Sequence, residues 1–141
     1  MKMSEFREYV LSRSGDAPLR FIGQLVASSN SQQPTTKRDL PLERRWHVLT
    51  LYQTRSGQYV GHIAYRTTWA GETEDSLACV GVLPEVADWF RDHDPMESVE
   101  GYPPGAGFAA RQERLLSAIE AGYDAALSKL LAEAGFTETI D

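Results

Sequence analysis

The chain has 141 residues, room for one hydrophobic core and hardly for two. An apolar fraction of 42% and a charged fraction of 24% exclude a wholly disordered chain, and the absence of any long apolar run excludes a membrane-spanning helix. The net charge of −6 is unevenly divided: ten Lys/Arg against five Asp/Glu over 1–71 give +5, and four against fifteen over 72–141 give −11. That division reads as two halves attracting each other, within a monomer or across a dimer, with an external partner surface as the alternative.

Ser4 to Arg13 reads as a short helix, with Ser4 as N-cap, Phe6 and Val10 on the buried stripe and Ser14-Gly15 as the stop. A strand running into the turn at Ser14-Gly15-Asp16 is the competing reading. Leu19 to Ser28 has apolar residues in both alternating series, as a strand in a largely covered sheet does, and Gly23 inside it marks a bulge or a close backbone approach. Ser29 to Arg38 contains no apolar residue and is expected to be a flexible loop. Trp46–Thr54 and Gln58–Trp69, rich in β-branched and aromatic residues, form a hairpin around Arg55-Ser56-Gly57. Its connection is either a type I turn followed by a left-handed glycine or a two-residue Ser-Gly turn. Ser76 to Val82 adds another strand after the turn at Ala70-Gly71-Glu72.

Pro84 at a first helical position opens a short helix over 84–93, whose apolar face is Val86, Trp89 and Phe90 and whose stop is Asp94-Pro95. Tyr102 to Gly107 is a loop by composition. A long helix follows over 108–134, with Leu115, Ile119, Tyr123, Ala126, Leu127, Leu130 and Leu131 at three- and four-residue spacing. Gly135 is its expected C′ residue, and Phe136 stands where a Schellman motif places its apolar contact. Gly122 beside the stripe points to close packing against another backbone. The fold class is therefore α+β: an antiparallel sheet of about four strands, with the 46–69 hairpin, packed against the short and the long helix. Residues 1–141 are expected to form a single domain whose tail, 137–141, is frayed.

The sequence carries no complete catalytic signature. His47 and His62 lie on paired strands, yet with a three-residue turn His62 stands opposite Thr50, which puts the two rings on opposite faces. With a two-residue turn they share a face but sit roughly 13 Å apart along the strand. Neither register serves one ion, so no metal site is expected. Asp92-His93-Asp94 reads as a solvated helix C-terminus, and Cys79 in its apolar setting as a small buried hydrophobe. There is no Gly-x-Ser-x-Gly and no phosphate-binding glycine loop, so no catalytic residue and no cofactor is implied. Glu72-Thr73-Glu74-Asp75 reads as a solvated turn. Lys37, Arg38, Arg44 and Arg45, with Trp46 and the tyrosines of the hairpin, resemble a platform for single-stranded nucleic acid, against which stands the acidity of the whole chain.

The run Phe21-Ile22-Gly23-Gln24-Leu25-Val26-Ala27-Ser28-Ser29, then Arg45-Trp46, then Leu51 to Val60 resembles a set of small bacterial domains, of which the EXLDI proteins are the nearest named group. The resemblance covers residues 20–70. It implies a bacterial origin and an α+β fold and carries no activity; the terminal Glu-x-Leu-Asp-Ile signature of that group is absent, since the chain ends Thr137-Glu138-Thr139-Ile140-Asp141. The charged first residues and the lone cysteine point to a cytoplasmic protein away from membranes. The favoured expectation is a non-enzymatic binding or regulatory module that self-associates, as a homodimer through the long C-terminal helix, or that takes a protein partner. One alternative is a small-ligand enzyme or sensor with His62, Arg66, Glu72 and Tyr102 around a pocket between the sheet and the 102–108 loop. The other is a nucleic-acid-binding protein using Lys37, Arg38, Arg44, Arg45 and Trp46.

Overall fold

The computed structural model describes residues 5–31, 45–67, 72–97 and 108–136, with 108–116 by backbone alone. Five strands, β1 (Arg7–Leu11), β2 (Leu19–Asn30), β3 (Arg45–Thr54), β4 (Tyr59–Thr67) and β5 (Asp75–Gly81), form one antiparallel sheet in chain order. Two helices follow, α1 (Leu83–Asp92) and α2 (Phe108–Glu133). The α+β class holds, but the sheet has five strands where about four were expected.

The extra strand corrects the helix expected over 4–13. Tyr9 and Leu11 turn inward while Glu8 and Val10 are exposed, a period of two. A segment this short cannot nucleate a stable helix by itself, whereas Leu19–Gly23 supplies a ready hydrogen-bonding partner. The β3–β4 turn takes the three-residue form. Thr54 N–H donates to the Gln58 carbonyl at 2.7 Å, Gly57 N–H donates to the Thr54 carbonyl at 2.9 Å, and Gly57 sits at φ 93°. In the resulting register His62 stands opposite Thr50.

One face of the sheet carries both helices. α2 packs on β2 and β3, and α1 on β4 and β5. Their shared core holds Ala27, Leu49, Leu51, Ile63, Val86, Phe90, Tyr123, Ala126, Leu127 and Leu130. α1 comes close because Gly61 has no side chain: a Cβ there would stand 2.7 Å from Val86 Cγ1 and 3.0 Å from the Phe90 ring. α2 ends in the expected Schellman pattern, with Phe136 N–H donating to the Leu131 carbonyl at 3.0 Å, Gly135 N–H to the Ala132 carbonyl at 3.1 Å, and Gly135 at φ 73°.

The other face is closed by the sheet itself. β2 is irregular between Leu25 and Ala27, and a bulge there bends the strand and raises its twist. The β1–β2 turn consequently reaches back over the sheet: Ser14 N–H donates to the Ser76 carbonyl at 2.7 Å, and Ser76 N–H donates to Ser14 Oγ at 2.8 Å. This curl buries Leu11, Val60, Ala64, Thr50 and Ser76. β2 runs two residues past the expected strand end at Ser28, and residues 32–38 of the expected 29–38 loop lie outside the described residues, as do Trp69 and 137–141. Among the described residues no helix is long and apolar enough to cross a membrane.

Candidate functional site

The first three residues of β3 concentrate the polar chemistry of the helix-covered face. Alternation sends Arg45 and His47 toward the helices and Trp46 away from them. Opposite His47 stands Tyr65 of β4, and opposite Tyr65 stands Asp75 of β5. At the β2 end, Ser31 N–H donates to the His47 carbonyl at 2.9 Å, and His47 N–H donates to Ser31 Oγ at 2.8 Å. One row across the sheet is therefore Ser31, His47, Tyr65 and Asp75, one step beyond the last apolar row, Leu49 and Ile63.

Glu72 ties this row, through Tyr65, to Arg45 at the start of β3. Arg45 Nε donates to its two carboxylate oxygens at 2.9 and 3.1 Å, and the Tyr65 hydroxyl donates to Oε1. Both side chains of the ion pair are fully buried, so Glu72 is an internal anchor and not the solvated turn residue its acidic neighbours suggest. Burial and the hydrogen bond to Glu72 push the Tyr65 phenol far above its usual pKa.

His47 is enclosed by rings. Its centroid lies 5.2 Å from Tyr65, 5.2 Å from Tyr123 and 6.1 Å from His93, and His93 is 5.7 Å from Tyr123. Tyr123 is held in place by donating its hydroxyl to the Phe90 carbonyl at 2.6 Å. Burial first, and the His93 charge second, lower the His47 pKa from 6.5 to about 4 against the opposing pull of the Pro95 backbone. His93 follows α1 as its C-cap, half-buried in this cluster instead of solvated, and burial lowers its pKa as well.

His47 Nδ1 and Ser29 Oγ are buried here with no hydrogen-bond partner among the described residues. Ser29 stands opposite Leu49, two residues along β3 from His47. The two side chains thus share the helix-covered face as diagonal neighbours, about 7 Å apart at the backbone.

The residues expected to surround one ligand separate. Glu72 lies in the buried cluster, whereas His62 and Arg66 belong to the opposite face. There the His62 ring donates from Nε2 to the Ser12 carbonyl at 3.0 Å, clasping the β1–β2 turn, and burial lowers its pKa. Arg66 stands opposite Trp46, both half-buried. Arg45, expected among the partner-facing cations, is committed to Glu72. Tyr102, Lys37, Arg38 and Arg44, and with them the loop side of the expected pocket, lie outside the described residues. Among the described residues there is no group of three or more His, Cys, Asp or Glu side chains arranged to hold a metal ion.

Sequence reasoning weighed His47 only as a metal ligand and Tyr65 only as a platform aromatic, and passed over Tyr123 and Ser29. The signal for His47 was available: it continues the inward series Leu49, Leu51 on β3. Nothing local marks Ser29, whose burial depends on α2 crossing β2. No protein-family model matches the chain, and no curated protein or solved structure shows significant similarity to it.

Proposed function

We propose that the protein is a non-enzymatic binding module that holds a small, uncharged polar ligand at the Ser29–His47 end of the helix-covered face. The observation that carries this reading is the pair of neighbouring buried atoms, Ser29 Oγ and His47 Nδ1, with no hydrogen-bond partner among the described residues. Buried polar groups are nearly always hydrogen-bonded, because an unpaired one forfeits its hydration for nothing. A ligand carrying a donor for the imidazole nitrogen and a donor or acceptor for the hydroxyl satisfies both.

The electrostatics favour binding over catalysis. A general acid or base works best with a pKa near the operating pH. His47 is held neutral with a pKa of about 4, the Tyr65 and Tyr123 phenols are pushed up by burial, and Glu72 is bonded to Arg45 and Tyr65. The Arg45 and Glu72 charges offset each other, which selects for a neutral ligand over an ionic one. A regulatory role fits the position, because the cluster ties β2, β3 and β4 to both helices.

The test is nitrogen-15 NMR of the histidine ring in the full chain, titrated in turn with uracil, acetamide, urea and a monosaccharide. Binding is expected to move the His47 Nδ1 resonance with at least one probe, and Ser29→Ala is expected to weaken that response. If Nδ1 is indifferent to every probe, the reading fails.

A further inference from the structure

The outward face of the β1–β2 hairpin carries a two-by-two patch. Glu8 stands opposite Ile22 and Val10 opposite Arg20, and residues directly opposite in an antiparallel pair share a face. All four are exposed, Val10 at 54% and Ile22 at 41%. Arg20 Nη1 lies 3.4 Å from Glu8 Oε1 across one diagonal, so the two aliphatic side chains occupy the other. The inner face of the same hairpin is already filled, with Tyr9, Phe21 and Tyr52 packed ring to ring at 4.6 to 5.5 Å. Phe6, 44% exposed just ahead of β1, adds to the apolar surface.

We propose that this patch is a homodimer surface and that its occupant is a second copy of the chain. The pattern is self-complementary. A two-fold axis along the Val10–Ile22 diagonal lays each aliphatic residue on its own copy and sets Glu8 over Arg20 of the second copy, twice. No other two-fold through the patch does both, since each alternative sets Glu8 on an aliphatic residue or on its own copy. The same comparison moves the dimer surface away from the long helix. The apolar stripe of α2 is spent on its own sheet through Ile119, Tyr123, Leu127 and Leu130, and its exposed positions from Ser117 onward are alanine, serine or charged residues. Those offer no large anchor of the kind that dominates interfaces. A patch of this size falls short of a standard interface and gives a weak, concentration-dependent dimer. The inference uses different residues from the ligand reading and stands or falls apart from it.

Charge reversal in the full chain tests it by sedimentation velocity from about 10 μM to about 1 mM, the range in which a weak dimer populates. Glu8→Arg leaves two arginines in the patch and Arg20→Glu two glutamates, so each alone should associate about tenfold more weakly. Mixed in equal amounts the two variants should recover association, because every contact across the two-fold then pairs opposite charges. The intrachain Glu8–Arg20 pair stays broken in both, which separates the dimer contact from any local effect. Val10→Asp should abolish association. All the substituted side chains are exposed, so circular dichroism and melting temperature should stay unchanged. A natural-sequence chain that is monomeric throughout, association indifferent to Val10→Asp, or no recovery on mixing overturns the proposal.

Discussion

Arg45 and Glu72 meet at full burial, where an unpaired charge would be expensive, and Tyr65 supplies a further hydrogen bond to the carboxylate. Removing one partner strands the other. Glu72→Gln or Arg45→Met should each cost about 3–5 kcal/mol in urea denaturation, while the double variant Arg45→Met/Glu72→Leu should lose much less than the sum. His47 adds a pH signature. Its pKa of about 4 in the fold, against 6.5 in the unfolded chain, means that the unfolded state binds the extra proton between those values. Stability therefore falls as pH drops from about 6.5 to about 4 and the loss stops growing below that. The full effect is on the order of 3 kcal/mol. His47→Phe should flatten that slope, read as the urea midpoint at several pH values. Some slope should remain, since His62 and His93 are lowered by burial in the same sense. The burial of Glu72 was not visible locally: it sits among Thr73, Glu74 and Asp75, and its partners are the Arg45 guanidinium 27 residues away and the Tyr65 hydroxyl.

Two glycines in elements behave in opposite ways. Gly61 lies under α1, and a methyl group there would collide with Val86 and Phe90. Gly61→Ala should therefore destabilise by about 1–3 kcal/mol through overpacking. Gly122 suggested an equally tight approach, but a Cβ there would meet Ser31 at 3.6 and 3.7 Å, an ordinary contact. Gly122→Ala should stabilise α2 by about 0.5–1 kcal/mol, because the helix gains propensity without a clash. Melting temperatures of the two variants should move in opposite directions. The elements best marked in the sequence are those with their own punctuation. The three-residue turn carries glycine in its left-handed position, α1 has proline in its first turn, and α2 stops at Gly135 and Phe136. β1 lacked such a marker: its apolar residues fit a helical stripe as well as a strand, and only pairing with Leu19–Gly23 decided between them.

At the scale of the whole molecule the sheet is held unequally. β3 and β4 are central, with neighbours on both sides and helices above, whereas β1 is an edge strand paired with β2 alone in the sheet order. The turn after it is clasped to the rest by His62 on Ser12 and by Ser14 on Ser76. Native-state hydrogen exchange should show the slowest amides at Leu49, Leu51 and Ile63 and the fastest strand amides in β1. His62→Leu, which removes the donor to Ser12, should raise exchange in β1 with little change in β3. Among the described residues one ion pair, Arg45–Glu72, joins the basic first half to the acidic second. Arg13–Asp16 and Arg20–Glu8 lie within the first half and Arg91–Asp88 within the second.

By itself the sequence determined the local structure that depends on neighbours in the chain: the hairpin around Arg55-Ser56-Gly57, the proline in the first turn of α1, the Gly135 stop of α2 and its apolar stripe. Turn chemistry, capping and periodicity act over a few residues, and those residues are adjacent in the text. Only the tertiary structure decided which face each strand residue serves, that β1 exists, that Glu72 and Arg45 are buried, and that Ser29 and His47 become neighbours. Those outcomes come from the bend in β2 and from helices laid over one side of the sheet. Both bring together residues far apart in the chain, and burial, which sets the worth of every charge and hydrogen bond here, is a property of that assembly.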